Sequence, residues 1–199
     1  MKNLSLENLS LDMESFSITE HDSYLNTYQE FITYFKNIEC IEKHHLVIAS
    51  HFVYGWMPTV IQLNTKELKE VLTTLNAVKA GQLISLAELE RIKFCINNSM
   101  VGASKLLHFI SPKVYAIWDS RIFRYLTGKK SQYGIEKPEN YLEYLRRLNE
   151  IANKDEYKKL HAKIQDKFLY EISPLRAIEL LMFETDRERQ RKTKLINIS

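Results

Sequence analysis

The segment Ser99-Met100-Val101-Gly102-Ala103-Ser104-Lys105-Leu106-Leu107-His108-Phe109-Ile110-Ser111-Pro112, continued by Lys113-Val114-Tyr115-Ala116-Ile117-Trp118-Asp119-Ser120-Arg121-Ile122-Phe123-Arg124-Tyr125-Leu126, decides how the chain is read. The helix that enters it ends in the small polar residues Asn97-Asn98-Ser99, and a turn with a single glycine follows. A new helix then starts near Gly102 and ends at Ser111-Pro112, because the residue before a proline is pushed out of the helical region. Asp119 stands where an N-cap belongs, directly ahead of a run that continues to about Leu126.

Two features of the segment carry chemistry. Backbone N–H groups at Val101, Gly102 and Ala103, placed in a hairpin and at a helix start, form an anion site that needs no side chain, and Gly102 lets a phosphate come close. Lys105 falls in the first turn of its helix. The positive helix end and partial burial both lower the pKa of an amine there, which favours a neutral nucleophile.

Working outward, apolar positions recur at helical spacing along almost the whole chain. Helices are expected over Asp22 to about Phe35, with Asp22 as N-cap, over Ile41 to Val53, and over Thr65 to Ala80, stopped by Gly81. A short helix opened by Pro58 runs to Leu63, and Ser85 with Glu88 reads as a capping box for a helix reaching Asn97. Pro138 to about Ala152, Asp155 to about Ile172 and Pro174 to about Thr185 complete the set, with Pro138 and Pro174 in first turns where a missing N–H is harmless. Five Gly and four Pro are too few for the frequent turns of an all-β chain. The expected organisation is all-α: an extended lead-in over residues 1–20, one helical domain over 21–186 with the hairpin and Lys/Asp segment at 98–126, and a basic tail over 187–199.

Composition sets the outer limits. At 199 residues, 45% hydrophobic and 27% charged, the chain is an ordinary globular protein that needs no disulfide or metal to hold a core. Cys40 and Cys95 lack metal-ligand spacing and read as reduced core residues. No basic region leads into an apolar run at the N-terminus, and no stretch approaches the roughly 18 apolar residues of a membrane span. A cytoplasmic protein with no membrane association, metal or cofactor is therefore expected. The net charge is only +3 but is unevenly spread, with five basic residues and one Glu between Arg187 and Lys194. That tail reads either as a solvated terminus or as a phosphate-contacting arm.

The segment resembles the helix-hairpin-helix DNA glycosylases, and within them the bacterial proteins with an oxoguanine-glycosylase-like fold. Val101-Gly102 matches the end of the family's Leu-Pro-Gly-Val-Gly hairpin, Lys105 stands approximately where bifunctional members carry their Schiff-base lysine, and Asp119-Ser120-Arg121-Ile122-Phe123-Arg124 resembles the family's Asp-Thr-His-Ile-Phe-Arg. The likeness covers about 28 residues. It implies two helical lobes around a cleft, and DNA as partner. It also implies recognition of a flipped or damaged base whose N-glycosidic bond is cleaved, with Lys105 and Asp119 catalytic and Val101, Gly102, Ala103, Ser104 and Arg121 on the DNA. Asn98-Ser99-Met100 replaces the Pro and first Gly, and Lys105 comes three residues after Gly102, where the family places it two after. One residue is about 100° around a helix, so the nucleophile position falls to Lys105 or to Ser104, the latter as in adenine-excising members.

Each of these residues has a second reading. Asp119 is a cap alone or a cap that also acts in catalysis. Trp56, His108 and Trp118 line a base pocket or are buried anchors. The rival function is a non-catalytic nucleic-acid- or partner-binding module on the same fold, with Arg121, Arg124, Lys129 and Lys130 on phosphates.

Overall fold

The computed structural model describes residues 4–18, 23–55 and 60–196. Among the described residues it is all-α, with ten helices in the order α1 (Leu6–Met13), α2 (Ser23–Lys36), α3 (Lys43–Gly55), α4 (Leu68–Lys79), α5 (Leu86–Cys95), α6 (Met100–Ile110), α7 (Ser120–Thr127), α8 (Pro138–Ala152), α9 (Asp155–Gln165) and α10 (Pro174–Ile196). No helix among the described residues is long and apolar enough to cross a membrane.

α6 is the axis of one group of helices. Every residue from Gly102 to Ile110 is buried, as expected of a helix covered on all sides. It packs against α2, α3, α4 and α5. α10 is the axis of a second group and packs against α1, α7, α8 and α9, while α5 meets α8 across the two. The core they share runs through Leu75, Leu89, Leu107, Trp118, Tyr144 and Ile178 without a break.

Local chemistry explains the element ends. The Ser85–Glu88 capping box forms in both directions, Pro138 opens α8, and Gly81 leaves α4 with φ 84°, a conformation costly for any side chain. α4 starts later than Thr65, because Asn64 accepts the Lys66 N–H and holds a turn there. α9 stops at Gln165, whose side chain bonds to Tyr170 O and Ile172 N and folds the chain back. The N-cap expected at Asp22 lies outside the described residues, as does Pro58. Residues 60–64 are not helical. They run beside the α5–α6 turn, with Leu63 bridging Ile96 and Asn64 N–H donating to Cys95 O at 2.9 Å.

Three expectations need correction. The lead-in is helical: Ser5 caps α1, and Leu6, Leu9 and Met13 turn inward at i, i+3 and i+7 while Leu11 stays out. Asp12 then ties α1 to the body, accepting from Tyr125 Oη at 2.6 Å and from Arg189 at 3.0 Å. The basic tail is the last part of α10, with Arg187 on Glu184, Arg191 on Glu188 and Arg189 on Asp12. Spacing of three residues between opposite charges is helix-stabilising, so these arginines serve the fold. Cys40 is exposed in a turn, and only Cys95 is a core residue.

Candidate functional site

α5 and α6 are joined by the short turn Ile96-Asn97-Asn98-Ser99. Asn97 and Asn98 have φ of 54° and 52°, the left-handed region that asparagine tolerates better than most side chains. They reverse the chain without the proline and first glycine of the hairpin pattern. The Asn97 side chain also grips the neighbouring strand of backbone, donating to Val60 O at 2.9 Å and accepting from Gln62 N–H.

The turn lies earlier than Val101–Ala103, which form the first turn of α6. Most of that helix end is already satisfied. Ser99 Oγ accepts the Gly102 N–H at 3.2 Å, Ser99 O accepts the Ala103 N–H at 2.9 Å, and Glu136 Oε2 accepts the Met100 N–H at 2.5 Å. Of the expected anion-binding donors, only the Val101 N–H has no protein partner among the described residues. Gly102 is buried, and its missing side chain serves Tyr54. A Cβ there would meet Tyr54 Oη at 2.6 Å, so the glycine admits a tyrosine from α3, where a phosphate was expected.

A cleft of about 550 Å³ opens at this end of α6, lined by Tyr54, Asn97, Ser99, Val101, Lys105, Asp119, Ser120, Gln132, Ile135 and Glu136. Lys105 and Asp119 therefore reach one cavity. Asp119 is the N-cap of α7, and its Oδ1 takes both the Arg121 and Ile122 N–H groups at 2.9 Å. Its Oδ2 has no protein partner among the described residues. α6 starts at Met100, two residues earlier than expected, so Lys105 is its sixth residue and lies in the second turn, away from the helix end. It is 9% exposed, and no direct ion pair joins it to Asp119. Burial lowers the Lys105 pKa, opposed by the charges of Asp119 and Glu179 and assisted by Arg176.

Ser104 and Lys105, one residue apart, differ in what they reach. Ser104 is fully buried and its hydroxyl is used: Oγ donates to Val101 O at 2.9 Å and Trp118 O at 3.0 Å, and accepts Trp118 N–H at 3.0 Å. It clamps α6 to the residue before Asp119 and cannot meet DNA. Lys105, about 100° further around α6, is the residue that reaches the cleft.

The expected base-pocket residues do not line it. His108 is fully buried, donates from Nδ1 to Tyr115 O at 2.7 Å and accepts at Nε2 from Tyr28 Oη at 2.9 Å. Burial, then the Arg176 charge, push its pKa down to about 3, so it is a neutral structural histidine. Trp118 is also fully buried, with Nε1–H on Ile135 O at 2.8 Å and its ring against Tyr144 and Phe123. Trp56 lies outside the described residues.

The expected phosphate ligands are mostly engaged elsewhere. Arg121 lies over the Phe183 ring at 5.0 Å and is not among the cleft-lining residues. Arg124 makes a two-point ion pair with the buried Asp186, at 2.9 and 2.6 Å, that locks α7 onto α10. Lys129 and Lys130 are exposed. No cluster of three or more metal-binding side chains occurs among the described residues.

Sequence reasoning missed Tyr54, Gln132 and Glu136 as cleft residues, and the buried Arg176–Glu179 ion pair. The first three sit in other parts of the chain, where no local pattern marks them. The last two carried a usable signal, since charges inside an apolar helical run such as Leu175–Met182 rarely stay buried without a role.

No family model, curated protein or solved structure matches this chain. The site is read on its own geometry.

Proposed function

We propose that the chain is a DNA glycosylase-like protein of the helix-hairpin-helix type, with the α6-centred and α10-centred groups as two lobes. It takes a displaced, altered base and cleaves the bond to its sugar. The observation that carries this reading is the meeting of a buried, deprotonation-prone Lys105 with Asp119 in one cleft. A cavity of about 550 Å³ has room for a nucleobase with its sugar.

In this mechanism the base leaves the stack, at a cost of a few kcal/mol that damage lowers. The neutral Lys105 amine attacks C1′. The N-glycosidic bond breaks and its electron pair leaves with the base, which takes up a proton. The C1′–O4′ bond then breaks as the nitrogen forms the imine, and of the two protons the amine gives up, one ends on the departing base and the other on O4′. Asp119, at the N-terminus of α7, stabilises positive charge on the sugar as it develops. Ser99, Gln132 and Asn97 supply amide and hydroxyl groups around the base. No metal or cofactor is required for any of these steps.

The test is borohydride trapping on duplexes carrying a panel of altered bases. The unsubstituted chain should form a covalent complex, Lys105→Ala should form none, and Ser104→Ala should keep trapping while losing about 1–3 kcal/mol of stability through orphaned backbone groups. Salt-sensitive duplex binding without any base release would overturn catalysis and favour the non-catalytic binding module.

A further inference from the structure

α7 and α8 are joined by the loop Gly128-Lys129-Lys130-Ser131-Gln132-Tyr133-Gly134, whose tip the proposed chemistry does not use. Gln132 lines the cleft. Tyr133 follows it, with Cα about 3.8 Å further along the chain, and is 84% exposed. Among the described residues no other tyrosine or phenylalanine stands so far into solvent. Burial in the core therefore does not account for the ring.

The loop beneath Tyr133 is anchored. Thr127 Oγ1 accepts the Lys129 N–H at 3.3 Å, Ser131 Oγ accepts the Tyr133 N–H at 3.2 Å, and Asn140 Nδ2 donates to Gly134 O at 2.7 Å. Ile135 is buried, and its carbonyl takes the Trp118 Nε1–H. Lys137 Nζ lies 5.3 Å over the Tyr133 ring, a cation–π contact that covers one face and leaves the other open. The charge around the ring is one-sided. Arg121 and Arg124 are engaged on α10, but Lys129, Lys130 and Lys137 are exposed and make no ion pair among the described residues. Glu136, the one acidic residue between Ser120 and Pro138, accepts the Met100 N–H.

We propose that the 128–134 loop is a stacking platform for an unpaired base of a DNA strand that runs past the cleft: the open face of Tyr133 takes the base, and Lys129 and Lys130 take the phosphates beside it. This deepens the glycosylase reading and rests on it for the nucleotide that enters the cleft. An aromatic face stacks on any base, so the contact holds the strand without reading its sequence. Lysines add attraction to phosphate that falls with salt. Because the loop is already ordered, little freedom is lost when the strand arrives. Gln132 and Tyr133, adjacent in the chain, then contact neighbouring parts of one strand, the first at the cleft and the second outside it.

The test compares two labelled strands of equal charge by fluorescence anisotropy on the full chain: single-stranded oligodeoxythymidine, and the same backbone built of tetrahydrofuran abasic units, which carry no base and no aldehyde. The unsubstituted chain should bind the base-bearing strand about tenfold more tightly. Tyr133→Ala should lose most of that preference, and Tyr133→Phe, which keeps the ring, should retain it. Lys129→Gln combined with Lys130→Gln should weaken both strands alike and flatten their salt dependence. Tyr133, Lys129 and Lys130 are exposed, so none of these variants disturbs the core. Equal affinity for the two strands, no binding of either at low salt, or a preference that survives Tyr133→Ala overturns the platform. Poly-glutamate bound as tightly as the base-bearing strand would instead mark an acidic protein partner and overturn it too. A Tyr133-dependent preference without borohydride trapping on any altered base overturns the glycosylase reading alone. Trapping that proceeds while Tyr133→Ala binds both strands as the unsubstituted chain does overturns the platform alone.

Discussion

The N-termini of α6 and α7 meet at the same cleft, and both are capped by side chains, yet they present opposite faces to a ligand. α7 is capped from within by Asp119, which spends one oxygen on two N–H groups and keeps the other for the cavity. α6 is capped by Ser99 and, from 36 residues further along the chain, by Glu136. The first cap creates a functional group. The second removes an anion site. A helix start binds an anion only where the rest of the fold leaves its N–H groups open, and here α6 keeps only that of Val101.

The comparison breaks most visibly at Asp119. Asparagine caps as well as aspartate, whereas alanine costs its helix about 1 kcal/mol. Asp119→Asn should therefore melt with the unsubstituted chain but lose base release by roughly 100-fold or more, the scale of removing one transition-state stabiliser. Thermal unfolding and a base-release assay, run on Asp119→Asn and Asp119→Ala together, separate the two roles. Full activity in Asp119→Asn would reduce Asp119 to a cap.

A second effect distinguishes the buried face of α6 from its cleft face. His108 is neutral in the fold, its pKa pushed from 6.5 down to about 3. The unfolded chain then binds the proton first, so the stability His108 contributes is complete above about 6.5 and is lost as pH falls toward 3. The slope approaches about 1.4 kcal/mol per pH unit below 6.5, which amounts to about 2 kcal/mol between pH 6.5 and 4.5. Urea unfolding across that interval should show this loss, and His108→Gln, which has no such proton to bind, should show a shallower one. Equal slopes would mean that His108 is not the titrating group.

The smallest effect sharpens the contrast between the two caps. Glu136→Gln keeps an oxygen for the Met100 N–H but removes the charge. Duplex DNA should then bind more tightly by somewhat under 1 kcal/mol, about threefold to fivefold, as the α6 dipole faces the phosphates unopposed. Fluorescence anisotropy at fixed low salt measures it. Unchanged affinity would place DNA phosphates away from this helix end.

Legibility followed the range of the interactions. α7 with its Asp119 cap, the Ser85–Glu88 box and the Pro138 start depend on residues a few positions apart, and all three are found where the sequence places them. α1 was equally local, but its inward stripe of Leu6, Leu9 and Met13 was hidden by the two-residue spacings Leu4/Leu6 and Leu9/Leu11, which imitate an extended segment. The roles of Gly102 and Ser104 were misread, and that of Trp118 was left open, for a different reason. Each is defined by a partner that sequence spacing does not reveal: Tyr54 above the glycine, the Trp118 backbone beside the serine, and Ile135 beneath the indole.

By itself the sequence determined that the chain is helical, where α7 starts, and that an aspartate stands at the head of the helix following the one that carries Lys105. Those features follow from dihedral preferences, caps and apolar spacing, which act over one or two turns. Only the tertiary structure decided that Lys105 and not Ser104 reaches the cleft, that Glu136 fills the end of α6, and that Arg176 and Glu179 are buried together. Those outcomes depend on which surfaces exclude water once all ten helices are packed, and on a rotation of about 100° per residue that only the neighbours of α6 can fix.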